Sequence, residues 1–227
     1  MTSHLSKPKL SKKMRNDLPS SFLELYDACY AGGLKIPGDF FITNMTTLKK
    51  YGIYEHLLLY EYIEGEVPIL NTKTEILLAA FSACNREKLR ELCEDVPDDR
   101  LEYTVYRGSI GKRKLSISWS LCQLHATHFA CNAYRGRLYK TTVLSQDVLA
   151  FFGEYFGENE LMIIPKPEDI IEIPILPEIR KMMNKHCKEG FCFPSPYFMP
   201  DKCKDICRVC PNKICLKQSP DFMECLR

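Results

Sequence analysis

Three short segments of the chain carry side chains of the types that do chemistry. In chain order they are Tyr106-Arg107-Gly108, Ser116-Ile117-Ser118-Trp119-Ser120 and Glu158-Asn159-Glu160. Arginine can hold an anionic cofactor because its planar fork is permanently charged, and serine hydroxyls can position it. The two glutamates would lie on one face of a strand, because side chains alternate with period two. The segments therefore predict an enzyme that acts at a carbon centre.

The residues around these segments predict the elements that must position them. Alternating and β-branched patterns predict short strands, and an apolar pattern of helical period predicts one helix among them. The strands are predicted at residues 101–106, 114–118, 137–143, 148–152, 161–164 and 170–173, and the helix at residues 120–134. Residues 148–152 could equally form a turn.

The first hundred residues predict helices instead. One helical pattern begins at Ser20 and ends at Gly32-Gly33, and two more run over residues 46–62 and 72–94. Pro97 ends the last of them. We therefore expect an α+β protein in which a helical N-terminal region precedes a mixed, strand-rich core and a Cys-rich C-terminal tail. The expected boundaries are 1–17 for a basic flexible lead, 18–98, 99–178 and 179–227.

Length and composition are those of a soluble globular protein. The 227 residues are 45% hydrophobic and 26% charged, enough for one sizeable domain with appendages. No apolar stretch has the length of a membrane span. The first residues are polar and basic, which does not match a secretory signal. We expect a cytoplasmic protein, with delivery into a host cell as an alternative, and the sequence does not indicate an oligomeric state.

In their order and spacing the three segments resemble the ADP-ribosyltransferase superfamily, in the arginine-serine-glutamate class that includes the cholera-toxin-like toxins. The matching pieces are Tyr106-Arg107-Gly108 at the end of a strand, Ser118-Trp119-Ser120 in place of the family's Ser-Thr-Ser, Ala126 and Phe129-Ala130 in the following helix, and Glu158-x-Glu160 entering a strand. The likeness covers residues 101–175. The tryptophan between the two serines departs from the common pattern.

The resemblance implies a transferase, of a toxin or effector type, that cleaves NAD and passes ADP-ribose to a macromolecular acceptor. Protein arginine is the favoured acceptor and nucleic acid the alternative. Breaking the bond between nicotinamide and ribose develops positive charge on the sugar, which a carboxylate stabilises. This is the implied role of Glu160, while Glu158 would orient or deprotonate the acceptor.

The resemblance also implies how the remaining site residues hold NAD. Arg107 would bind the pyrophosphate or the adjacent ribose, and Gly108 would let the backbone approach. Ser118 would steady the nicotinamide ribose and the catalytic glutamate, with Ser120 as support. Trp119 is expected to be a core anchor.

Charge is distributed unevenly behind a net value of +2. Residues 180–227 carry ten lysines and arginines against five carboxylates, the first 17 residues are also basic, and the middle is acidic by seven charges. Basic ends can hold a polyanion or an acidic partner, or they can be merely solvated. The rival hypothesis is therefore a non-catalytic, zinc-stabilised module that binds nucleic acid or protein on an ADP-ribosyltransferase-like scaffold.

Seven of the 12 cysteines lie between Cys187 and Cys225. Four of them, Cys203, Cys207, Cys210 and Cys215, are close enough in sequence for a tetrahedral zinc site, which can fold a tail too small for its own core. Disulfides and free thiols are the alternatives. The first three also have the spacing of the cluster-binding triad of radical S-adenosylmethionine enzymes, but the sequence shows no barrel pattern after them, so we do not expect such a cluster. The pair His125 and His128 has no third ligand nearby, so we interpret both as structural.

Protein purified under reducing conditions should carry about one zinc ion, or two, held mainly by these four cysteines. Elemental analysis measures the metal, and thiol titration of the same sample measures the free cysteines. A metal-free protein whose tail cysteines are oxidised in pairs would replace the zinc site by a disulfide framework.

Overall fold

The computed structural model of the chain has helices followed by an antiparallel sheet. It describes residues 5, 8–30, 36, 38–64, 73–96, 101–109, 114–131, 136–153, 159–175, 177 and 180. Two units divide after Cys93, residues 1–93 and 94–227. The described part of the chain is α+β, as predicted, and none of its helices has the length and apolar character that a membrane crossing requires.

The described residues of the first unit form seven short helices. Their bounds are α1 Lys12–Asp17, α2 Ser20–Tyr30, α3 Gly38–Thr43, α4 Met45–Lys50, α5 Tyr54–Glu64, α6 Thr74–Ser82 and α7 Arg86–Glu91. Helix α1 lies where the sequence predicts a flexible lead. The Ser11 hydroxyl caps it by accepting a hydrogen bond from the Met14 N–H at 3.2 Å.

The single helix predicted over residues 46–62 is wrong, because Gly52 ends α4 and separates it from α5. Gly52 has a φ of +68°, a conformation that favours glycine. Its N–H donates to the Lys49 carbonyl, and the Ile53 N–H donates to the Leu48 carbonyl at 3.1 Å. This pair of bonds is a Schellman motif, which satisfies the last carbonyls of a helix and stops it.

The single helix predicted over residues 72–94 is also wrong, because a new helix begins after Asn85. The Asn85 side chain accepts a hydrogen bond from the Lys88 N–H at 3.2 Å and so caps α7. The Asn85 N–H itself donates to the buried carboxylate of Glu55 at 2.9 Å. Both bonds hold the chain in the non-helical conformation that separates α6 from α7.

The second unit contains a six-stranded antiparallel sheet and an α-helix between its second and third strands in the chain. The strands are β1 Glu102–Ser109, β2 Ser118–Ser120, β3 Arg137–Leu144, β4 Ala150–Phe152, β5 Glu160–Met162 and β6 Ile171–Ile173, and the helix is α8 Gln123–Cys131. Their order across the sheet is β4-β5-β2-β1-β3-β6. Neighbours in this order pair antiparallel throughout.

Apolar clusters lie on both faces of this sheet. The larger is built on Trp119, Tyr103, Val105, Tyr139 and Leu161, all nearly fully buried. The smaller lies between the sheet and α8, where Tyr106 and Leu138 pack with Ala126 and Ala130. Because side chains alternate along each strand, the residues next to these anchors face the opposite side. The polar residues next to Trp119 and Leu161 in sequence therefore lie on the face of the sheet that carries α8.

Candidate active site

A cleft of about 180 Å³ lies where β1, β2 and β5 meet α8. The residues that line it are Tyr106, Arg107, Gly108, Ser118, Trp119, Ser120, His125, Ala126, Phe129 and Glu160. They come from three strands and a helix that are far apart in sequence. Every described residue predicted to act on substrate or cofactor is among them.

One row of paired residues crosses the floor of the cleft. Ser120 on β2 lies opposite Tyr106 on β1 and also opposite Glu160 on β5. Directly paired residues of antiparallel strands have their Cβ atoms about 4.5–5.5 Å apart and point to the same face. The carboxylate of Glu160 is therefore next to the Ser120 side chain, on the α8 side of the sheet.

The two serines of β2 differ in what their hydroxyls do. The Ser120 hydroxyl accepts a hydrogen bond from the Cys122 N–H at 2.9 Å, which ties it to the chain entering α8. The Ser118 hydroxyl makes no hydrogen bond to any described residue, although the Ser118 N–H donates to Ser116 Oγ at 3.3 Å. The Ser118 hydroxyl can therefore bond to a ligand in the cleft, whereas the Ser120 hydroxyl holds the chain that leads into α8.

Arg107 brings a positive charge to the cleft at the end of β1. Its Nη1 donates to the backbone carbonyl of Ser118 at 2.9 Å, so that the guanidinium is held against β2. The side chain is half-buried. This bond holds a planar, permanently charged group against the backbone of β2 at Ser118.

Gly108 has a packing role that the sequence did not indicate. A Cβ at this position would overlap the Ala126 carbonyl oxygen and stand 2.5 Å from the Ala130 nitrogen and 2.8 Å from Phe129 Cβ. The backbone of α8 therefore lies directly on Gly108. Its predicted contact with a cofactor stays a prediction, and the close approach that requires glycine is that of the helix.

Helix α8 contributes two side chains to the cleft that sequence reasoning missed, His125 and Phe129. They are four residues apart, so they share a helix face, and Phe129 is 43% exposed although large and apolar. The sequence did contain a signal for these two residues. Each stands one position before an alanine that packs on the sheet, Ala126 or Ala130, so helical spacing places both beside the packed face of the helix. The neighbouring His128 is buried, and burial and then the charge of His125 lower its pKa, so that it stays neutral to a lower pH than an exposed histidine.

Trp119 belongs to the core, as predicted. It is 1% exposed, lies opposite Leu161, and its indole N–H donates to the Ser116 carbonyl at 2.8 Å. A buried indole needs such a partner, since an unpaired N–H in an apolar core is costly. Because Trp119 points into the core, Ser118 and Ser120 on either side of it point to the cleft.

The far end of α8 is held by Arg180. Its guanidinium donates to the Gly136 carbonyl at 2.8 Å and to the Ala130 carbonyl at 3.5 Å. A cation at this end of a helix also interacts favourably with its dipole. The predicted end of the core at residue 178 lies just before this arginine, so a shortened chain meant to keep the helix end intact should include Arg180.

Two groups of predicted site residues lie outside the described residues. Glu158 precedes the first described residue of its segment, and the tail cysteines Cys203, Cys207, Cys210 and Cys215 all follow Arg180. Within the part of the chain that the structure describes, no three His, Cys, Asp or Glu side chains are grouped as a metal site would require.

No protein-family model, no curated protein and no solved structure matches this chain.

Proposed function

We propose that the protein is a mono-ADP-ribosyltransferase: it cleaves the bond between nicotinamide and ribose in NAD and transfers ADP-ribose to a macromolecular acceptor. The observation that carries the proposal is the convergence of Arg107, Ser118 and Glu160, from three different strands, on one cleft. The resemblance to the arginine-serine-glutamate class required these three residue types in this order. An ADP-ribosyltransferase-like core is the fold that goes with the proposal.

The central chemical step would depend on Glu160. When the bond to nicotinamide breaks, its electron pair leaves with the ring and positive charge develops on the ribose. A carboxylate fixed beside that sugar stabilises the charge, and it does so strongly in a cleft that limits water. Glu160 suits this role because it is half-buried and its backbone is paired to β2 and β4.

Arg107 and Ser118 would bind the diphosphate side and the sugar. The guanidinium of Arg107 can donate two parallel hydrogen bonds to phosphate oxygens. The Ser118 hydroxyl, which has no described partner, can bond to a ribose hydroxyl. The cleft of about 180 Å³ is smaller than the roughly 300–1,000 Å³ typical of sites for drug-sized ligands. We therefore assign it to the nicotinamide ribose end of NAD.

Phe129 offers a flat apolar surface among the residues that line the same cleft. Aromatic rings gain from offset stacking, so an exposed phenylalanine beside the ribose site suits a nicotinamide ring. Its exposure of 43% leaves much of the ring accessible. The apolar contact would select a ligand whose sugar carries an aromatic group.

The acceptor completes the reaction. Its nucleophilic atom forms the new bond to the ribose carbon that nicotinamide leaves, and its proton passes to a base, the role we propose for Glu158. Protein arginine is the favoured acceptor, and nucleic acid the alternative. The basic tail, with zinc if its cysteines bind the metal, could contact that acceptor.

The first experiment measures nicotinamide release from NAD by the purified full-length chain. Isotope-labelled NAD added with a cell lysate, followed by mass spectrometry, then identifies the modified molecule. Release above the rate of a Glu160→Gln variant supports the proposal. Absence of release, together with a partner that binds without any modification, would favour the non-catalytic binding module.

Arg107→Lys should weaken NAD binding by about tenfold or more, although the charge is kept. A lysine ammonium cannot reproduce the bidentate fork, and hydrogen bonds to charged groups contribute about 1.5–3 kcal/mol. Calorimetry with NAD measures the affinity. The matched control is Arg137→Lys, an exposed arginine of the same sheet that pairs with Glu172 at 2.5 Å outside the cleft. Equal affinities in the two variants would move the phosphate contact away from Arg107.

A further inference from the structure

Asn159 has a left-handed backbone directly before the candidate catalytic glutamate. Its φ is +49°, and no other non-glycine residue among those described has a positive φ. The residue is only 3% exposed. Left-handed conformations are strained for most side chains, whereas asparagine tolerates them better than other residues do. A strained residue beside a functional group is a reason to ask what the strain achieves.

We propose that Asn159 is a positioning residue: its left-handed backbone sets the face of the sheet to which Glu160 points. The importance of this for turnover rests on the function proposed above. Glu160 lies opposite Ser120, and the next residue, Leu161, lies opposite Trp119 in the core. A slip of one residue would exchange the two faces, so that Leu161 would enter the cleft and Glu160 the apolar core.

A backbone hydrogen bond holds this register at the same residue. The Leu121 N–H donates to the Asn159 carbonyl at 2.9 Å, next to the pair formed by Ser120 and Glu160. The left-handed residue lies directly before β5, and the extended conformation of that strand begins at Glu160. Asn159 therefore lies directly before the strand, and its carbonyl ties the chain at this point to the residue that follows β2.

The asparagine side chain supports an explanation in terms of backbone conformation. Its Oδ1 is buried and accepts no hydrogen bond from any described residue. Among these residues, then, no bond of the amide oxygen explains an asparagine at this position, whereas the φ of +49° does. Glycine should consequently replace asparagine here, and a β-branched residue should not.

The test compares Asn159→Gly with Asn159→Val in the full-length chain, with Asn159→Ala as a milder variant if the valine variant does not fold. The steady-state rate of nicotinamide release is measured against NAD concentration. The valine variant should lose about 10- to 100-fold in kcat with KM little changed, because a misplacement of about 1 Å can cost that much. The glycine variant should retain most of kcat.

Gly52→Ala is the matched control for the strain itself. Gly52 also has a positive φ, +68°, and an added Cβ would meet nothing within 4 Å. This variant should lose stability in thermal unfolding while keeping kcat. A valine variant with the wild-type kcat, or a glycine variant that falls as far as the valine one, overturns the proposal.

A second readout does not depend on NAD. Trp119 is the only tryptophan, and its cross-strand neighbour is Leu161, so its fluorescence reports the register of β2 and β5. The emission should shift to the red in Asn159→Val and stay unchanged in Asn159→Gly and Gly52→Ala. If the wild-type chain releases no nicotinamide, the proposed function fails, and this spectrum alone decides whether Asn159 sets the face to which Glu160 points. An unshifted valine variant would then overturn the role of Asn159.

Discussion

Glu160→Gln should lower nicotinamide release by about 100- to 1,000-fold and leave the fold intact. Glutamine has nearly the same shape but no charge, so it cannot stabilise positive charge on the ribose. Removing one electrostatic contact of this kind typically costs about 2.7–4 kcal/mol in the transition state. The side chain is half-buried and its strand is held by backbone pairing, so the midpoint of thermal unfolding should change little. Enzyme assay and thermal unfolding of the same preparation measure both effects.

The matched control for this variant is Glu168→Gln. Glu168 is an exposed carboxylate in a 3₁₀ turn of the same unit, Pro167–Asp169, away from the cleft. Its substitution removes the same charge and should leave nicotinamide release unchanged. Near-normal turnover in the Glu160 variant, or an equal loss in both, would contradict the assignment of Glu160 as the catalytic carboxylate.

The sequence predicted the residues of the cleft better than the elements that carry them. Alternation along a strand is a local property, so the common face of Ser118 and Ser120 follows once Trp119 is taken as buried. The strand itself was expected at residues 114–118 and lies at Ser118–Ser120. Ser116 explains the shift, because its hydroxyl accepts from the Ser118 N–H and its carbonyl accepts from the Trp119 indole N–H, where a strand was expected.

The partners of each strand could not be read from local patterns. The row from Tyr106 through Ser120 to Glu160 joins residues up to 54 positions apart, and alternation gives a face but no neighbour. Strand order was therefore supplied by the structure alone. The two helix breaks, in contrast, could have been predicted from the sequence. Gly52 is an ordinary signal for a helix end and Asn85 for a helix start, but the apolar periodicity continues across both and was given more weight.

The role of α8 as a wall of the cleft illustrates the same limit. In the sequence, Phe129 and Ala130 belong to the resemblance alone, and Gly108 is predicted to let the backbone approach a cofactor. The short distance between Gly108 and α8 explains the roles of both. It requires glycine at position 108, and a helix packed this closely on β1 brings His125 and Phe129 to the cleft. No pattern within one segment reports such a distance.

Gly108→Ala should therefore destabilise the second unit and disturb the cleft together. The added Cβ would meet backbone atoms of α8 at Ala126 and Ala130, which cannot rotate aside as the end of a side chain can. Overpacking typically costs about 1–3 kcal/mol and can cost more. We expect about 3 kcal/mol, or a fall of roughly 10 °C in the midpoint of thermal unfolding.

Gly153→Ala provides the comparison within the same unit. A Cβ at Gly153 would meet the outer ring atoms of Phe151 at 2.8 Å and a Glu94 carboxylate oxygen at 3.0 Å, which are side-chain atoms and not backbone atoms. Its loss of stability should be clearly smaller. Nicotinamide release should fall in the Gly108 variant even below its unfolding midpoint, because a displaced α8 moves Phe129 away from the strands. Unchanged unfolding of Gly108→Ala would mean that α8 is not seated on β1 at this glycine.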